Sequence, residues 1–163
     1  GGSLRIYAAH EGQEDVLDSV SQLLDIERQA GLDSLEGYSD FQPRVDAVKR
    51  DLLAFLIEAK RSGKTVVGYG APGKGNTLLN YCGIGRDFLD YTVDRNPYKQ
   101  GKYTPGSRIP IVSPERIAET RPDYVLILPW NLRDEIVTSN AYVFEWGGRF
   151  VVPIPGLQVI DPA

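Results

Sequence analysis

A strand that runs straight into a glycine loop restricts this 163-residue chain more than any other feature. Thr65-Val66-Val67-Gly68-Tyr69-Gly70 is an apolar, β-branched run, the pattern of a strand buried on both faces. It opens into Ala71-Pro72-Gly73-Lys74-Gly75, and Asn76–Tyr81 then reads as a helix. Strand, glycine turn and helix in that order form the first half of a βαβ unit. The rhythm continues downstream. Leu89–Val93 reads as a strand ending in Asp94, Pro114–Thr120 as a short helix and Tyr124–Leu128 as a strand. A helix near Asn131–Val137 and a last strand at Arg149–Val152 follow. Alternating strands and helices predict an α/β fold, a Rossmann-like parallel sheet covered by helices on both faces, with right-handed crossovers.

The residues before the glycine loop read differently. Leu4, Ile6 and Ala8 alternate with Arg5, Tyr7 and Ala9, so a short strand is expected over 3–9. Val16, Val20, Leu23 and Leu24 recur at helical spacing over 13–30, with Gly31 as the stop. After the turn-rich segment 31–40, Val45, Val48, Leu52, Leu56 and Ala59 form one stripe of a longer helix that Gly63 ends. The expected organisation is therefore residues 1–63, a strand and two amphipathic helices, followed by the Rossmann-like domain over 64–163.

Composition excludes several classes of function. With 18 Lys and Arg against 22 Asp and Glu the net charge is −4, which argues against a broad nucleic-acid surface. No apolar run approaches the roughly 20 residues of a membrane span, and no leader pattern opens the chain. One Cys and one His cannot build a Cys/His zinc site, and a lone Cys forms no internal disulfide, as expected of a cytoplasmic protein. There is no Met at all, which is expected of a segment taken from a longer chain.

The glycine loop carries the chemistry. Gly68, Gly70 and Gly73 match G-x-G-x-x-G between strand and helix, the context of a dinucleotide fingerprint. Glycines let a backbone approach a diphosphate, and the amides and dipole of the helix favour its charge. Asp94 stands where an acidic residue would hold a ribose, although it lies further along the chain than the usual ~20 residues. The same stretch nearly fits G-x-x-x-x-G-K-[ST], but Gly75 supplies no hydroxyl for magnesium and Thr77 lies too late, so a nucleoside triphosphatase is rejected. Lys74 adds a full positive charge at the helix mouth. The bland reading is a tight turn with a solvated lysine.

Other loops emerge at the same sheet edge. Asp94–Gly106 is long, polar and basic, and reads either as a binding loop or as a solvated one. Pro129-Trp130-Asn131 offers a flat ring, with Asn131 as a helix cap in the structural reading. Ser113-Pro114-Glu115 reads as an N-cap followed by a first-turn proline. Cys82 reads as a buried inert thiol, His10 as surface or packing, and Asp134-Glu135 as solvated carboxylates.

Taken together, Gly68-Tyr69-Gly70-Ala71, Lys74, Asn80 and Cys82-Gly83-Ile84-Gly85 resemble the C-terminal domain of the S-adenosylmethionine-dependent nucleotide-sugar C-methyltransferases. Asp94, Pro97, Lys99-Gln100-Gly101, Thr104-Pro105-Gly106, Ile109-Pro110, Trp130-Asn131 and the opening Gly1-Gly2-Ser3-Leu4-Arg5 continue the likeness. The resemblance implies a methyltransferase acting on a sugar carbon of a nucleoside-diphosphate deoxysugar. It further implies that zinc, S-adenosylmethionine and the catalytic residues belong to upstream domains. No catalytic residue, metal or cofactor is then expected in this chain, whose partners are the nucleotide sugar and the upstream domain. The residues expected around the substrate are Gly68, Gly70, Gly73, Lys74, Gly75, Asn76 and Thr77 near the diphosphate. Asp94, Lys99, Gly106, Trp130 and Asn131 are expected around the nucleoside or sugar. Two other functions compete: an NAD(P)-binding domain of an oxidoreductase and a non-catalytic Rossmann-type ligand-binding domain.

Overall fold

A computed structural model describes residues 4–162, which fall into two compact units, Gly1–Asp46 and Ala47–Ala163. In the first, helix α1 (Asp18–Gln29) starts later than the periodicity suggests and ends at Gly31, whose φ is +71°. A single 3-10 turn, Glu36–Tyr38, brings Gly37 against Gly31 so closely that a Cβ at residue 37 would lie 1.9 Å from the Gly31 carbonyl oxygen. The strand expected over 3–9 does not form: residues 4–10 have no regular structure and residue 3 lies outside the described residues. The cause is physical. Alternation supplies a face but no partner, and Leu4, Ile6 and Tyr7 are exposed with no neighbouring strand among the described residues to take their backbone bonds.

Helix α2 (Phe41–Arg61) begins in the first unit and continues into the second, where Leu52, Leu56 and Ala59 are buried. The compact units thus divide earlier than residue 63, because the apolar stripe of α2 belongs to the core of the sheet. Gly63, at φ +69°, ends the helix and turns the chain into β1 (Val66–Tyr69). Then come α3 (Gly73–Cys82), β2 (Thr92–Val93), β3 (Ile111–Val112), α4 (Glu115–Thr120) and β4 (Tyr124–Ile127). A 3-10 turn at Trp130–Leu132 leads to α5 (Arg133–Ser139), and β5 (Arg149–Val152) and β6 (Gln158–Ile160) complete the unit.

The strands form one sheet of order β3-β2-β1-β4-β5-β6, the doubly wound arrangement. All neighbours are parallel except β5 and β6. The Rossmann-like parallel sheet expected from the sequence is present, with one antiparallel pair added at that edge. A short connection after β5 has no room for a crossover helix, so the chain can only return antiparallel. Strand β3 was not anticipated either, because two residues inside a polar loop carry no readable period. The strand expected over Leu89–Val93 shrinks to β2, since Phe88 and Leu89 donate to the Gly85 carbonyl in a turn. Glu115 rather than Pro114 begins α4, and Ser113 makes no side-chain cap. Its hydroxyl meets the Glu115 carboxylate instead and helps hold that group below its ordinary pKa.

Period two distributes the core. From β4 and the residue after it, Leu126 and Leu128 join α2 and α3 in one cluster, while Val125 and Ile127 face α4 and α5 in the other. From β5, Val151 joins the first and Phe150 and Val152 the second. At the amino edge, Asp123 fastens β1 to β4: its carboxylate accepts from the Thr65 amide (2.9 Å), the Thr65 hydroxyl (2.9 Å) and the Lys64 ammonium (2.8 Å). No helix of the described residues is long and apolar enough to cross a membrane.

Leu126 is fully buried in the central strand pair. Leu126→Ala should therefore lower the unfolding free energy by about 2–5 kcal/mol in urea titration, the range for a leucine-sized cavity.

Candidate functional site

Sheet order places β1 between β2 and β4, so the loops that leave these three strands lie side by side at the carboxyl edge. Connections from β1 and β4 diverge there, the position where doubly wound sheets hold ligands.

The turn after β1 is fastened from both sides. The Gly70 amide donates to the Val93 carbonyl (2.6 Å), and the Thr92 hydroxyl donates to the Gly70 carbonyl (2.8 Å). The Ala71 amide donates to Asp94 Oδ2 (2.8 Å), and Lys99 Nζ donates both to the Ala71 carbonyl and to Asp94 Oδ2 (3.0 Å each). Every backbone polar group of Gly70 and Ala71 is thereby used internally. Pro72 has no N–H, and the first helical bond runs from the Asn76 amide to the Pro72 carbonyl. That leaves the amides of Gly73, Lys74 and Gly75 as the first-turn donors outside the helical ladder. These amides lie at the mouth of α3, which begins four residues beyond the end of β1.

The glycines have different jobs. Gly68 lies within β1, where a Cβ would come 2.6 Å from Thr92 Oγ1, so it serves strand packing. Gly70 has φ +84°, and a Cβ there would also meet Pro129 Cδ at 2.7 Å. Gly75 is buried, and its Cβ would lie 2.8 Å from Leu128 Cβ, so its missing side chain lets α3 press onto the sheet. Gly73 alone of the four is open, with nothing within 4 Å of a Cβ.

Lys74 leaves α3 toward the loop after β4. Its ammonium donates to Asn131 Oδ1 and stands 5.0 Å from the centre of the Trp130 ring. Asn131 therefore does not cap α5, whose N-cap position is Leu132 with no side-chain cap bond. The structure brings Gly73, Lys74, Trp130 and Asn131 together. Thr77 is exposed and its hydroxyl donates to the Gly73 carbonyl (3.2 Å). Asn76 Oδ1 is buried without a partner among the described residues.

Asp94 and Lys99 occupy a different role from the one expected. Asp94 is 12% exposed, and besides Ala71 and Lys99 it accepts from the Asn96 amide (2.9 Å). Burial pushes its carboxyl upward, but the Asn96 amide, Lys99 and the Ala71 amide outweigh this and leave it below the ordinary value of 3.8. A carboxylate so engaged is poorly placed to hold a ribose diol. Gly106 lies elsewhere: at φ +76° it packs where a Cβ would be 1.9 Å from Asn80 Oδ1, and Asn80 Nδ2 donates to the Pro105 carbonyl (3.0 Å). Asn80 is seven residues along α3 from Gly73, about 10 Å at 1.5 Å per residue. Gly106 is apart from the cluster at the helix mouth.

Sequence reasoning missed a cleft of about 190 Å³ beside the glycine turn, lined by Tyr69, Ala71, Arg95, Pro129, Leu132 and Ile136 among others. Arg95 pairs with Glu135 (2.8 Å), so Glu135 is not simply solvated. The available signal was Arg95 directly after Asp94, together with Leu132 and Ile136 one helical turn apart. Cys82 is buried, and burial raises its pKa. His10 is exposed. Among the described residues no His, Cys, Asp and Glu cluster could hold a metal ion.

Since the folded Asp94 carboxyl is depressed, its stabilising contribution is complete above about pH 4 and is lost as pH falls through the lower folded value. Asp94→Asn should cost about 2 kcal/mol at pH 7. Its unfolding free energy should also fall less steeply than the wild type's between pH 4 and 2, as measured by denaturant titration at each pH.

The chain is similar to known proteins in three comparisons. The chain is 42% identical over 162 residues to the C-methyltransferase NovU of Streptomyces niveus, covering 99% of this chain and 39% of that protein. The chain thus spans about two-fifths of the length of the curated relative it matches. Among solved structures it is similar to UDP-D-quinovosamine 4-dehydrogenase from Vibrio fischeri, with 22% identity and a TM-score of 0.43 over 60% of this chain and 93% of that one. The model of the C-methyltransferase C-terminal domain matches residues 1–155, and the chain belongs to that family.

Proposed function

We propose that this chain is the nucleotide-sugar-binding domain of an S-adenosylmethionine-dependent enzyme that methylates a sugar carbon of a nucleoside-diphosphate deoxysugar. Membership of the C-methyltransferase C-terminal family supports the reaction class. One observation carries the binding role: Lys74, whose ammonium contacts Trp130 and Asn131, belongs to the first turn of α3, which also carries the unladdered amides of Gly73, Lys74 and Gly75. A full charge and converging N–H donors at a helix mouth are the chemistry of a diphosphate site.

In such a reaction a base removes the proton beside a sugar keto group, and the resulting enolate takes the methyl group. S-adenosylmethionine, bound by an upstream domain of the full-length protein, supplies the electrophilic methyl. This chain contributes grip and placement. Lys74 and the helix-mouth amides hold the diphosphate, while Trp130 and Asn131 border the attached group. Asp94 and Lys99 keep the turn rigid so that the amides need not reorganise on binding. Residues 1–63 join this domain to the upstream part. The protein is read as cytoplasmic, on the strength of its lone Cys82 and its nucleotide-linked substrate. The NAD(P) alternative is disfavoured by the engagement of Asp94 with the loop's own amide.

Uridine or thymidine diphosphate should raise the melting temperature of the chain, whereas NAD should leave it unchanged. The reverse pattern would sink the reading. In the full-length enzyme, Lys74→Ala should raise KM for the nucleotide sugar about 10- to 100-fold, as expected for loss of a charge-assisted bond, while largely sparing kcat. Unaltered KM would leave the non-catalytic ligand-binding alternative in place.

A further inference from the structure

We infer that residues 4–9 add as a strand to the edge of a sheet in the upstream domain of the full-length protein, with Leu4, Ile6 and Ala8 on the buried face, and that α1 packs beside them. The inference rests on the proposed function in one respect only, that such a domain precedes this chain.

The segment has the form of a strand and lacks only a neighbour. Six residues at about 3.3 Å each span roughly 20 Å, the length of an ordinary strand. Alternation puts Leu4, Ile6 and Ala8 on one side and Arg5, Tyr7 and Ala9 on the other. A turn bounds the segment: the Gln13 amide donates to the His10 carbonyl (3.1 Å), and Gly12 has φ +79°. Yet Ile6 and Tyr7 are 77% and 81% exposed, and residues 4–9 pair with none of the described strands. Leu17, Val20 and Leu24, spaced three and four residues apart at the start and along one side of α1, are exposed as well. Strand, turn and amphipathic helix make a βα unit, whose helix lies on a face of the sheet that its strand joins. Both halves of this unit present an apolar side that no described residue covers.

The sheet of this chain offers no seat for such a strand. The outer side of β3 is taken, because the Gly101 amide donates to the Ile111 carbonyl (2.9 Å) and the Ile111 amide to the Lys102 carbonyl (2.8 Å). The open edge is β6, but its three residues, Gln158–Ile160, would leave half of a six-residue strand unpaired. The partner therefore lies elsewhere. This chain covers 39% of NovU and matches a family described as a C-terminal domain, so most of the rest of that relative lies ahead of the matching part. Residues 4–9 stand at that junction. Docking onto an adjoining domain of the same chain is intramolecular, so a short strand is held there at high effective concentration without a large interface. A sheet edge supplies the complementary row of N–H and C=O groups. A paired strand in place of a loose tether limits how far the two domains can part while a substrate is shared between them.

Hydrogen exchange read by mass spectrometry, on the full-length protein and on the 163-residue chain at several concentrations, tests this. In the full-length protein the peptide covering residues 4–10 should exchange at least about tenfold more slowly than in the 163-residue chain, because paired amides exchange only on opening. Ile6→Asp should abolish that protection and lower the melting temperature of the full-length protein by about 4–8 °C, as for a charge placed on a buried face. Ile6→Val should keep both. In the 163-residue chain, where residue 6 is exposed, neither variant should move the melting temperature. Equal exchange of the 4–10 peptide in the two proteins would overturn the inference, whether or not Ile6→Asp folds. So would protection in the shorter chain that grows with concentration, which marks pairing between copies, or a full-length Ile6→Asp that melts with the wild type. Methyl transfer by a full-length protein whose segment is unprotected leaves the proposed function standing without the strand. A protected segment in a protein that transfers no methyl group removes that function and leaves the strand.

Discussion

The carboxylate of Asp94 ties the turn after β1 to the turn after β2, and the carboxyl edge of the sheet is organised around that tie. One oxygen accepts the Ala71 amide and the Lys99 ammonium, while the other accepts the Asn96 amide. Lys99 closes the ring by donating back to the Ala71 carbonyl. Four groups that would otherwise need water are satisfied in one small volume, where the reduced dielectric strengthens each bond. The consequence is positional. With Gly70 and Ala71 fully occupied, the amides outside the helical ladder are those of Gly73, Lys74 and Gly75, so the tie confines the loop's uncommitted donors to the mouth of α3.

Close packing carries this local order into the sheet. Gly68 lets β1 lie against Thr92, and the Thr92 hydroxyl then reaches the Gly70 carbonyl. Gly75 lets the first turn of α3 press on Leu128, and Leu128 leads directly into Pro129-Trp130-Asn131. The two strand-end loops that meet at Lys74 are thus positioned by the absence of side chains at 68, 70 and 75. A methyl group at any of these positions would shift one loop against the other, and a shift of about 1 Å is enough to spoil a site that depends on converging donors.

How far the sequence discloses this architecture depends on how local the cause is. The buried runs Val66–Tyr69, Tyr124–Ile127 and Arg149–Val152 were legible because their apolar pattern is continuous, and the helix stops at Gly31 and Gly63 because left-handed backbone favours glycine. Strand β3 was not, since Ile111 and Val112 become a strand only through β2 beside them. The 4–9 segment is the converse: strand-like alternation without a partner gives no strand. At the site, Lys74, Trp130 and Asn131 could be singled out by type and by their place after strands. That Asp94 binds its own loop, and that Gly106 packs on Asn80, depends on distances across 23 and 26 residues of chain that no spacing rule encodes.

The resting position of Lys74 also bears on how an anion could be captured. Its ammonium is held by one neutral amide oxygen and one ring face, contacts worth about 1 kcal/mol each when partly solvated. A phosphate oxygen offers a charge-assisted bond of about 1.5–3 kcal/mol, and the helix-mouth amides add further bonds to the same group. A phosphate brought to this lysine would therefore compete favourably with Asn131. The lysine pays little in side-chain entropy, because Trp130 and Asn131 already confine it near the helix mouth. Arg95 is held by Glu135 in the same loose manner on the other side of the turn. Both cations are thus held at the carboxyl edge of the sheet by partly exposed partners, while the backbone between them is fixed by the buried Asp94 tie.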